Sequence, residues 1–425
     1  MPKSMVSLAT AAHDRLRAMD AASPQYATQF VEALLAAAKA IGASDVHLQP
    51  TVPGLDICWR LDGVLQPLGV YPHGARTDVL SRLKVLAELL TYRTDAPQEG
   101  RIRRTEDDVE MRVSTFPTLH GERAVVRIFA ARQQLRRLDD LGLGELGMGD
   151  DALPALQRLL AETSGAVLIA GPAGSGKTTT AYACLRQLAS NGEGRRSIVT
   201  LEDPIESAVA GVVQSQVNEA AGFDFAIGVR SLMRQDPEVI LVGEIRDPPT
   251  AQAAFQASLT GHLVLTTFHA GNSAEAVGRL TDMGIEPYVL RSGLLAILSQ
   301  RLLRRLCSCA VPGSGADRLG LPVEQTRQAG GCPMCHQTGY EGRMLLAEML
   351  STRRPRIGQA ISDRMNAREL GRLAIEDGMT TLWRRAVAAV EQGRTSAAEV
   401  RRVLGFEAER EEQEAAPSTS QNRLV

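Results

Sequence analysis

A glycine-rich segment at residues 171–180, reading GPAGSGKTTT, constrains the fold of this chain more than any other feature. An apolar run at residues 167–170 precedes the segment, and a helix-compatible stretch at residues 178–189 follows it. A strand, a glycine-rich loop and a helix in this order are typical of a phosphate-binding loop. The sequence therefore predicts an α/β domain that binds a nucleoside triphosphate. The alternative is a glycine-rich turn that only connects a strand to a helix.

Each residue type in this loop has a defined part in phosphate binding. Glycines let the backbone curl so that successive N–H groups point at phosphate oxygens, and the N-terminus of the helix adds partial positive charge. Lys177 supplies a mobile cation for the outer phosphates, and Thr178 can place its hydroxyl on Mg²⁺. The predicted nucleotide-binding residues of the loop are Gly171, Gly174, Ser175, Gly176, Lys177, Thr178 and Thr179.

Length and composition limit the class of protein. A chain of 425 residues is too long for one ordinary core, so two or three domains are expected. The 47 basic and 49 acidic residues give a net charge of −2, which argues against a general nucleic-acid-binding protein. No stretch approaches 18 uninterrupted apolar residues, and the N-terminus lacks the layout of a signal peptide. These features predict a cytosolic protein.

Residues 24–131 are predicted to form a small α+β domain. Helical periodicity occurs at residues 25–40 and 78–90. Strand-like runs occur at residues 45–49, 55–61, 109–114 and 124–129. Residues 1–23 are expected to form one short helix or to be disordered, and the glycine-rich residues 132–151 are expected to form a linker.

Residues 152–405 are predicted to form the nucleotide-binding domain. Strand-like runs at residues 167–170, 197–201, 239–242 and 263–268 alternate with helical segments at residues 178–189, 226–235 and 250–260. This alternation is typical of a parallel sheet covered by helices on both faces. Residues 273–405 are expected to be mostly helical, apart from a cysteine-containing segment at about 303–345. Residues 406–425 are predicted to be a disordered tail.

Two groups of acidic residues follow predicted strands of this domain. Glu202, Asp203 and Glu206 come directly after one strand, and Glu244 ends another apolar run. The carboxyl ends of parallel strands meet at one edge of a sheet, where ligands bind. Carboxylates there can hold Mg²⁺ and orient or deprotonate water, which hydrolysis requires in addition to a phosphate loop. Alternatively, these acids cap helices or pair with neighbouring arginines.

Two histidines flank a further strand candidate. His262 and His269 are seven residues apart, so they would point to opposite faces of an ideal strand and are not an obvious metal-binding pair. One of them could sense or position the γ-phosphate, or each could have a structural role. The residues alone leave both interpretations open.

The order of these motifs resembles that of the secretion ATPase superfamily, the hexameric motors of type II secretion and type IV pilus assembly. In that family an aspartate box, a glutamate-containing Walker B motif and a histidine box follow the phosphate loop. Here residues 200–206, 236–247 and 260–269 occupy those places. The resemblance covers the chain from about residue 42 to residue 406.

The resemblance implies roles for the acidic and histidine residues. Glu206 would orient or activate the attacking water, with Glu202 as the second choice for this role. Glu244 would hold Mg²⁺ or its water shell. His262 would contribute to nucleotide binding and His269 to catalysis.

The first predicted domain also resembles this family. Residues 43–50, 60–63 and 112–123 are similar to its N-terminal ATPase module. The resemblance implies an α/β protein with a RecA-like P-loop ATPase domain, preceded by a small α+β, PAS-like domain. It also implies a helical C-terminal part and a zinc-binding insertion.

Arginines of the N-terminal module reach the nucleotide in this family. The resemblance places Arg112 and Arg127 where those arginines are expected, and Arg279 is a further candidate. A guanidinium from a mobile domain can neutralise charge on the transferred phosphoryl group and couple hydrolysis to domain motion. Alternatively, arginines on an alternating strand face solvent.

Four of the six cysteines lie within residues 307–335. In a reducing compartment such a cluster favours a metal site over disulfides. Secretion and pilus-extension motors of the family commonly bind zinc through two Cys-x-x-Cys pairs, whereas retraction motors generally lack them. The predicted zinc ligands are Cys307, Cys309, Cys332 and Cys335, although the first pair is one residue short and His336 could replace one thiolate. The alternative is four free thiols in a folded loop.

The resemblance implies a function as a hexameric, Mg²⁺-dependent ATPase that uses ATP, with Zn²⁺ as a structural ion. It would power the assembly of a pilus or pseudopilus at the cytoplasmic face of the inner membrane. Its expected partner is an inner-membrane platform protein, which would hold the motor at the membrane periphery, and no nucleic-acid partner is expected. The alternatives are a pilus-retraction or DNA-transfer motor and a weakly hydrolysing nucleotide-binding scaffold.

Two features depart from the family pattern. Gln49 stands where the family often has glutamate. About twenty residues precede the first predicted domain, fewer than the extra N-terminal domain with which many relatives dock onto membrane partners. The docking partner is therefore not identified by the resemblance.

Overall fold

The computed structural model describes residues 8–74, 78–104, 109–128, 138, 149–190 and 196–406. The chain divides into two compact units. The first unit comprises Met1–Gln133, Leu306–Val311 and Ala329–Gly342, and the second comprises Gln134–Arg305, Pro312–Gln328 and Arg343–Val425. Most of the predicted linker and all but the first residue of the predicted tail lie outside the described residues. None of the helices described is long and apolar enough to cross a membrane.

The first unit is built on one antiparallel sheet and three helices. The helices are α1 (Leu8–Arg17), α2 (Tyr26–Ile41) and α3 (Val79–Leu86). The strands are β1 (Asp45–Thr51), β2 (Gly54–Leu61), β3 (Val64–Tyr71), β4 (Gln98–Arg104), β5 (Val109–Thr118) and β6 (Gly121–Ile128). Their order in the sheet is β3-β2-β1-β6-β5-β4.

The core of the first unit lies between one face of this sheet and the helices. Strand side chains alternate between the two faces, so Val46 and Leu48 of β1 are both buried. They belong to one apolar cluster with Phe30 of α2 and Trp59 of β2. The opposite face of the sheet is left for polar side chains.

A buried ion pair connects α3 to β6 within this unit. The Lys84 Nζ donates to both carboxylate oxygens of Glu122, at 2.8 and 2.9 Å, and to the carbonyl oxygen of Arg93 at 2.7 Å. Lys84 is 1% exposed and Glu122 is 8% exposed. Buried charges are tolerated when they are paired and hydrogen-bonded in this way.

The second unit contains α4 (Gly149–Leu160), β7 (Gly165–Ala170), α5 (Lys177–Ser190), β8 (Ile198–Glu202), β9 (Val213–Gln216), α6 (Phe225–Leu232), β10 (Val239–Ile245), α7 (Pro248–Leu259), β11 (Leu263–Phe268), α8 (Ser273–Asp282) and α9 (Pro287–Gly293). The chain continues with β12 (Leu294–Leu306), β13 (Val311–Pro312), β14 (Arg327–Gln328), β15 (Tyr340–Ser351), α10 (Pro355–Ser362), α11 (Ala367–Glu376), α12 (Leu382–Glu391) and α13 (Ala397–Leu404).

A seven-stranded sheet in the order β15-β12-β7-β11-β10-β8-β9 forms the centre of the second unit. The neighbouring strands from β12 to β9 pair in parallel. Every residue of β7, β8 and β11 is buried, as expected for strands that are covered on both faces. The predicted α/β class with a covered parallel sheet is confirmed for this unit.

The prediction that residues 273–405 are mostly helical is wrong for two long segments. β12 has 13 residues and β15 has 12, and both belong to the central sheet. Residues 294–298 form a continuous apolar run, and such a run does not distinguish a buried strand from a buried helix by periodicity. The strands β3, β4 and β9, which lie at sheet edges, were also not predicted.

A buried carboxylate joins two helix N-termini of the second unit. Glu348 of β15 is 4% exposed and accepts the backbone N–H of Ser273 at 3.0 Å, at the start of α8. Its other oxygen accepts the N–H of Leu382 at 3.1 Å, at the start of α12. Helix N-termini favour negative charge and carry N–H groups without intrahelical partners, so one glutamate stabilises both ends.

Candidate active site

The candidate site lies at the carboxyl ends of neighbouring strands in the central sheet. β7, β11, β10 and β8 are consecutive and parallel, so the segments that follow them lie side by side. The glycine-rich loop follows β7, His269 follows β11, Glu244 is near the end of β10 and Glu202 ends β8. This edge is where open α/β sheets bind ligands.

The glycine-rich loop has the backbone conformation that its glycines predict. The φ angles of Gly171, Gly174 and Gly176 are +149°, +74° and +90°. A side chain on Gly171 would bring its Cβ to 2.5 Å from Ser175 Oγ, which is too close for any real contact. The hydroxyl of Ser175 is buried and has no hydrogen-bond partner among the described residues. A buried polar atom of this kind fits a loop that completes its hydrogen bonds with a ligand.

Lys177 begins α5 and lies over the loop. Its Nζ donates to the carbonyl oxygens of Gly171 at 2.9 Å and Pro172 at 3.0 Å, and the residue is 8% exposed. Burial lowers the pKa of this ammonium group, and the Glu244 carboxylate opposes that shift. Thr178, the next residue, is exposed in the first turn of the helix. The lysine is thus held at the loop by carbonyl groups that an anionic ligand can replace.

Glu244 is the centre of a charged network at the end of β10. One carboxylate oxygen lies 2.7 Å from His269 Nε2, and the other accepts the Arg246 Nε at 2.7 Å. Burial and the positive charge of Lys177 lower the pKa of His269, while Glu244 opposes the shift. A neutral His269 with its proton on Nε2 can donate to Glu244. Arg246 also lies 3.7 Å from Asp203, so it connects the two predicted acidic groups.

Glu202 is enclosed by hydrogen bonds and is 3% exposed. Its carboxylate accepts the hydroxyl of Tyr182, the hydroxyl of Thr200 at 2.6 Å and the side-chain amide of Gln214 at 3.0 Å. The Tyr182 oxygen in turn accepts the backbone N–H of Glu206 at 3.1 Å. Glu202 therefore holds the backbone of Glu206 through Tyr182, and Glu206 itself is half-buried.

The structure does not bring His262 to this edge of the sheet. His262 precedes β11, and its carbonyl oxygen accepts the N–H of Gly165 at the start of β7. The strand of six residues separates it from His269 by roughly 20 Å. Its ring Nδ1 lies 3.0 Å from the carbonyl oxygen of Ala257. A nucleotide-binding role for His262 stays a prediction.

The three arginine candidates fall in different places. Arg279 of α8 donates to the carbonyl oxygen of His269, and its guanidinium lies 5.4 Å from the centre of the Phe268 ring. Arg279 therefore lies at the carboxyl end of β11. Arg112 and Arg127 are opposite each other on β5 and β6 of the first unit.

Arg127 has a buried partner on the polar face of the first sheet. Its Nε donates to Asp45 at 3.0 Å, and Asp45 also lies 3.6 Å from Arg60. The Arg127 side chain is nevertheless 65% exposed. Its guanidinium is therefore oriented by Asp45 and open to an anion, and the proposed roles of Arg112 and Arg127 stay predictions.

The four clustered cysteines converge within the first unit, with all four Sγ atoms within 4.8 Å of one another. The Sγ–Sγ distance is 3.9 Å between Cys307 and Cys332, 3.8 Å between Cys309 and Cys335, and 3.7 Å between Cys332 and Cys335. A tetrahedral zinc ion with Zn–S bonds of about 2.3 Å requires S···S distances of about 3.8 Å. The short Cys307-Ser-Cys309 pair is thus compatible with a complete four-thiolate site, and His336 is not among its members.

Backbone N–H groups surround these sulfur atoms. Gly331 donates to Cys309 Sγ at 3.3 Å, and Cys332 and Gly339 donate to Cys335 Sγ at 3.2 Å each. Burial raises the pKa of the Cys335 thiol, but these N–H groups and the neighbouring thiols outweigh burial and bring it to about 7. These donors stabilise the Cys335 thiolate, which is the form that binds metal. The Gly331 N–H also lowers the pKa of Cys309, but burial and hydrogen bonds from the neighbouring thiols outweigh it and raise that pKa to about 11.

Three contributors to the site were not among the predicted site residues. Tyr182 links Glu202 to Glu206 by hydrogen bonds. Arg246 links Glu244 to Asp203. Gln300 donates a hydrogen bond to the carbonyl oxygen of Ser175 in the phosphate loop. Arg246 had a signal, since it lies within the second acidic motif. Tyr182 and Gln300 are distant in sequence from their partners, and only strand and helix packing brings them together.

Comparison with known proteins gives a match over nearly the whole chain. The sequence profile of the family described as "Type II/IV secretion system protein" matches residues 20–402. The chain is 42% identical to the type II secretion system protein HxcR of Pseudomonas aeruginosa, over 76% of this chain and 65% of that protein. It is 38% identical to a putative type II secretion system protein E of Escherichia coli, over 94% of this chain and 81% of that protein.

Another relative is the type IV pilus assembly ATPase PilB of Thermus thermophilus, which is 36% identical over 88% of this chain and 42% of that protein. The chain thus spans less than two thirds of the length of HxcR and of PilB. Among solved structures, the ATPase DotB of Yersinia pseudotuberculosis has a TM-score of 0.66 at 21% identity, covering 91% of this chain and 95% of its own. The pilus retraction motor PilT with bound ADP has a TM-score of 0.60 at 23% identity, covering 89% and 96%. These two structures show the same fold.

Proposed function

The chain belongs to the Type II/IV secretion system protein family, and we propose that it is a Mg²⁺-dependent ATPase motor for assembly of a type IV pilus or a type II secretion pseudopilus. One observation carries this proposal. The phosphate loop, Lys177, Glu244 and residues 202–206 meet at the carboxyl edge of one parallel sheet. The names of the relatives, which include a type II secretion system ATPase and a type IV pilus assembly ATPase, support the same function.

The binding residues in this proposal are Lys177, Thr178 and Glu244. Lys177 exchanges its two carbonyl partners for the outer phosphates of ATP, so the buried ammonium remains compensated throughout. Thr178 and Glu244 hold Mg²⁺, which when bound neutralises negative charge on the phosphates. His269 and Arg246 donate to Glu244 and orient its carboxylate.

Glu206 is the proposed base for hydrolysis. It accepts a proton from the attacking water, whose oxygen bonds to the γ-phosphorus. The bond from the γ-phosphorus to the β,γ-bridging oxygen breaks, and ADP keeps that electron pair. Glu202, with its hydrogen bonds already made, positions Glu206 through Tyr182. Arg279, Arg112 and Arg127 are proposed to stabilise charge on the transferred group.

The finer assignment of the units is also part of the proposal. We assign the second unit as a RecA-like ATPase domain, because its covered parallel sheet carries the phosphate loop. We assign the first as a PAS-like module, because one face of its antiparallel sheet is covered by helices. The domain boundaries at residues 24–131 and 152–405 stay predictions.

The working state is proposed to be a hexamer attached to an inner-membrane platform protein at the cytoplasmic face of the membrane. A ring of subunits lets each ATP turnover move one subunit against its neighbours. The cluster of four cysteines, whose Sγ atoms lie within 4.8 Å of one another, supports the pilus-extension or secretion branch over the retraction branch, because it fits a structural zinc ion.

A steady-state phosphate-release assay at several protein concentrations tests the motor proposal. We expect the turnover per chain to rise with concentration as rings assemble, and size-exclusion chromatography should show assembly over the same range. Measurable ATP binding without turnover at any concentration would favour the scaffold. Turnover that does not depend on concentration would contradict a shared, ring-dependent site.

Zinc removal is expected to destabilise the first unit strongly. Purified chain should contain about one zinc ion, and Cys332→Ser should lose it, because three thiolates and a hydroxyl cannot reproduce the site. Structural zinc contributes on the order of 10 kcal/mol to a small module, so chelation should lower the unfolding temperature of this unit markedly. Cys58→Ser, which changes a thiol outside the cluster, is the matched control and should keep full zinc content. Zinc-free protein with an unchanged unfolding temperature would contradict a structural zinc site.

A further inference from the structure

The side chain of Gln300, on β12, contacts the phosphate loop. β12 runs parallel to β7 with Ser299 opposite Ala170, so Gln300 lies beside Gly171, the first residue of the loop. Gln300 is fully buried, and its Nε2 donates to the carbonyl oxygen of Ser175 at 2.8 Å. Because the Ser175 carbonyl oxygen can only accept a hydrogen bond, the atom of the Gln300 amide that faces it must be the Nε2 donor.

This hydrogen bond fixes the orientation of one peptide group of the loop. In a trans peptide the C=O and the following N–H point in opposite directions. Because the Ser175 carbonyl is directed at Gln300, the N–H of Gly176 is directed away from Gln300. Inward N–H groups are what the loop uses to bind phosphate oxygens.

The glycines of the loop allow β12 to approach this closely. A Cβ on Gly171 would lie 2.7 Å from the carbonyl oxygen of Gln300, and a Cβ on Gly176 would lie 3.2 Å from Gln300 Nε2. The first distance excludes any side chain at Gly171, whereas at Gly176 the Gln300 amide would have to shift by a few tenths of an ångström. The close approach of β12 thus requires glycine at position 171 and favours it at position 176, where φ is also +90°.

Two buried polar atoms at this contact have no partner among the described residues. They are the hydroxyl oxygen of Ser175 and the Oε1 of Gln300. Buried polar atoms without partners are rare and indicate a place that is completed by another polar group. Both atoms belong to residues that are joined by the hydrogen bond described above.

We propose that Gln300 is a positioning residue for nucleotide binding, which holds the Ser175–Gly176 peptide so that the Gly176 N–H faces the phosphates. The inference rests on the proposed function, since it concerns the same phosphate site. Gln300 acts through the loop backbone and not by contact with the phosphoryl group that is transferred. It therefore affects how tightly phosphates are held more than it affects the chemical step.

The test compares three variants by ATP affinity, turnover at saturating ATP and unfolding temperature. Gln300→Met keeps the size of the side chain but removes the donor, and it should weaken ATP and ADP binding about 10-fold each, the loss expected for one hydrogen bond with its acceptor left buried. Gln300→Glu should weaken binding further, because a carboxylate faces the Ser175 carbonyl. The turnover number at saturating ATP should fall by less than about 3-fold, as expected when binding of substrate and transition state weakens equally.

Ser299→Ala is the matched control. Ser299 is fully buried next to Gln300 on the same strand, and adjacent strand residues point to opposite faces of the sheet, so the variant should bind ATP like the parent. Equal ATP affinity in Gln300→Met and the parent would overturn the proposal. A lower unfolding temperature, with ATP binding lost only in proportion to the unfolded fraction of the protein, would show a purely structural role. A parent chain that does not bind ATP would instead overturn the proposed function, so the two failures are distinguishable.

Discussion

Replacing Lys177 by alanine is expected to reduce ATP turnover roughly 1,000-fold, the scale on which an enzyme loses rate when one key electrostatic contact to the reacting group is removed. The ammonium is buried against two loop carbonyls and near Glu244, so it is already positioned before ATP arrives. Alanine leaves those carbonyls and the carboxylate without a compensating cation at the place where phosphates must bind. ATP affinity should therefore fall together with turnover.

The experiment needs a control for loss of a positive charge. Lys39→Ala removes the same charge from an exposed position on α2 and should leave turnover unchanged. Circular dichroism and the unfolding temperature check that Lys177→Ala remains folded. Turnover within 10-fold of the parent in a folded Lys177→Ala variant would contradict the assignment of the phosphate loop.

Much of the candidate site could be predicted because its residues follow strands directly. Local rules state that a glycine-rich loop between a strand and a helix binds phosphate, and that acids after parallel strands meet at one edge. Glu244 and Glu202 come together because β10 and β8 are neighbours, with Val242 opposite Leu201. The alternation of apolar runs and helices was sufficient to predict that arrangement.

The parts that could not be predicted depend on pairing between distant segments. The apolar residues of β12 and β15 are also compatible with a buried helix, and only the places of these segments in the sheet identify them as strands. Gln300 lies 125 residues from Ser175, so no local pattern connects the two. By contrast, the sequence already places His262 before and His269 after the strand at residues 263–268, and the structure agrees with that placement.

The structure also changes the relationship between the two glutamates that competed for the role of base. The family resemblance made Glu206 the proposed base, with Glu202 as the second choice. In the structure the Glu202 carboxylate is buried and already accepts three hydrogen bonds, so its oxygens are closed to solvent and occupied by protein donors. Tyr182 joins the two residues, since it donates to Glu202 and accepts from the backbone of Glu206. In the proposed mechanism, Glu206 is the base and Glu202 holds it in place through Tyr182.

Glu206→Gln is therefore expected to lower turnover by roughly 100- to 10,000-fold, the usual contribution of a general base, while ATP still binds. The amide keeps the size of the side chain and removes only its ability to take a proton. Tyr182→Phe removes the hydroxyl that donates to Glu202 and accepts from the Glu206 backbone. The loss of these two hydrogen bonds should lower turnover about 10-fold. Turnover and ATP affinity are measured for both variants and for Glu202→Gln.

The order of these effects decides between the two assignments. If Glu206 is the base, its variant must be the most damaging of the three, and Glu202→Gln must resemble Tyr182→Phe because both loosen the same support. Near-normal turnover in Glu206→Gln, with a large loss in Glu202→Gln, would reverse the assignment. That result would also require the buried Glu202 carboxylate to exchange its present hydrogen bonds for water during the reaction. Tyr182 would then become accessible to solvent in the nucleotide-bound protein, which can be measured.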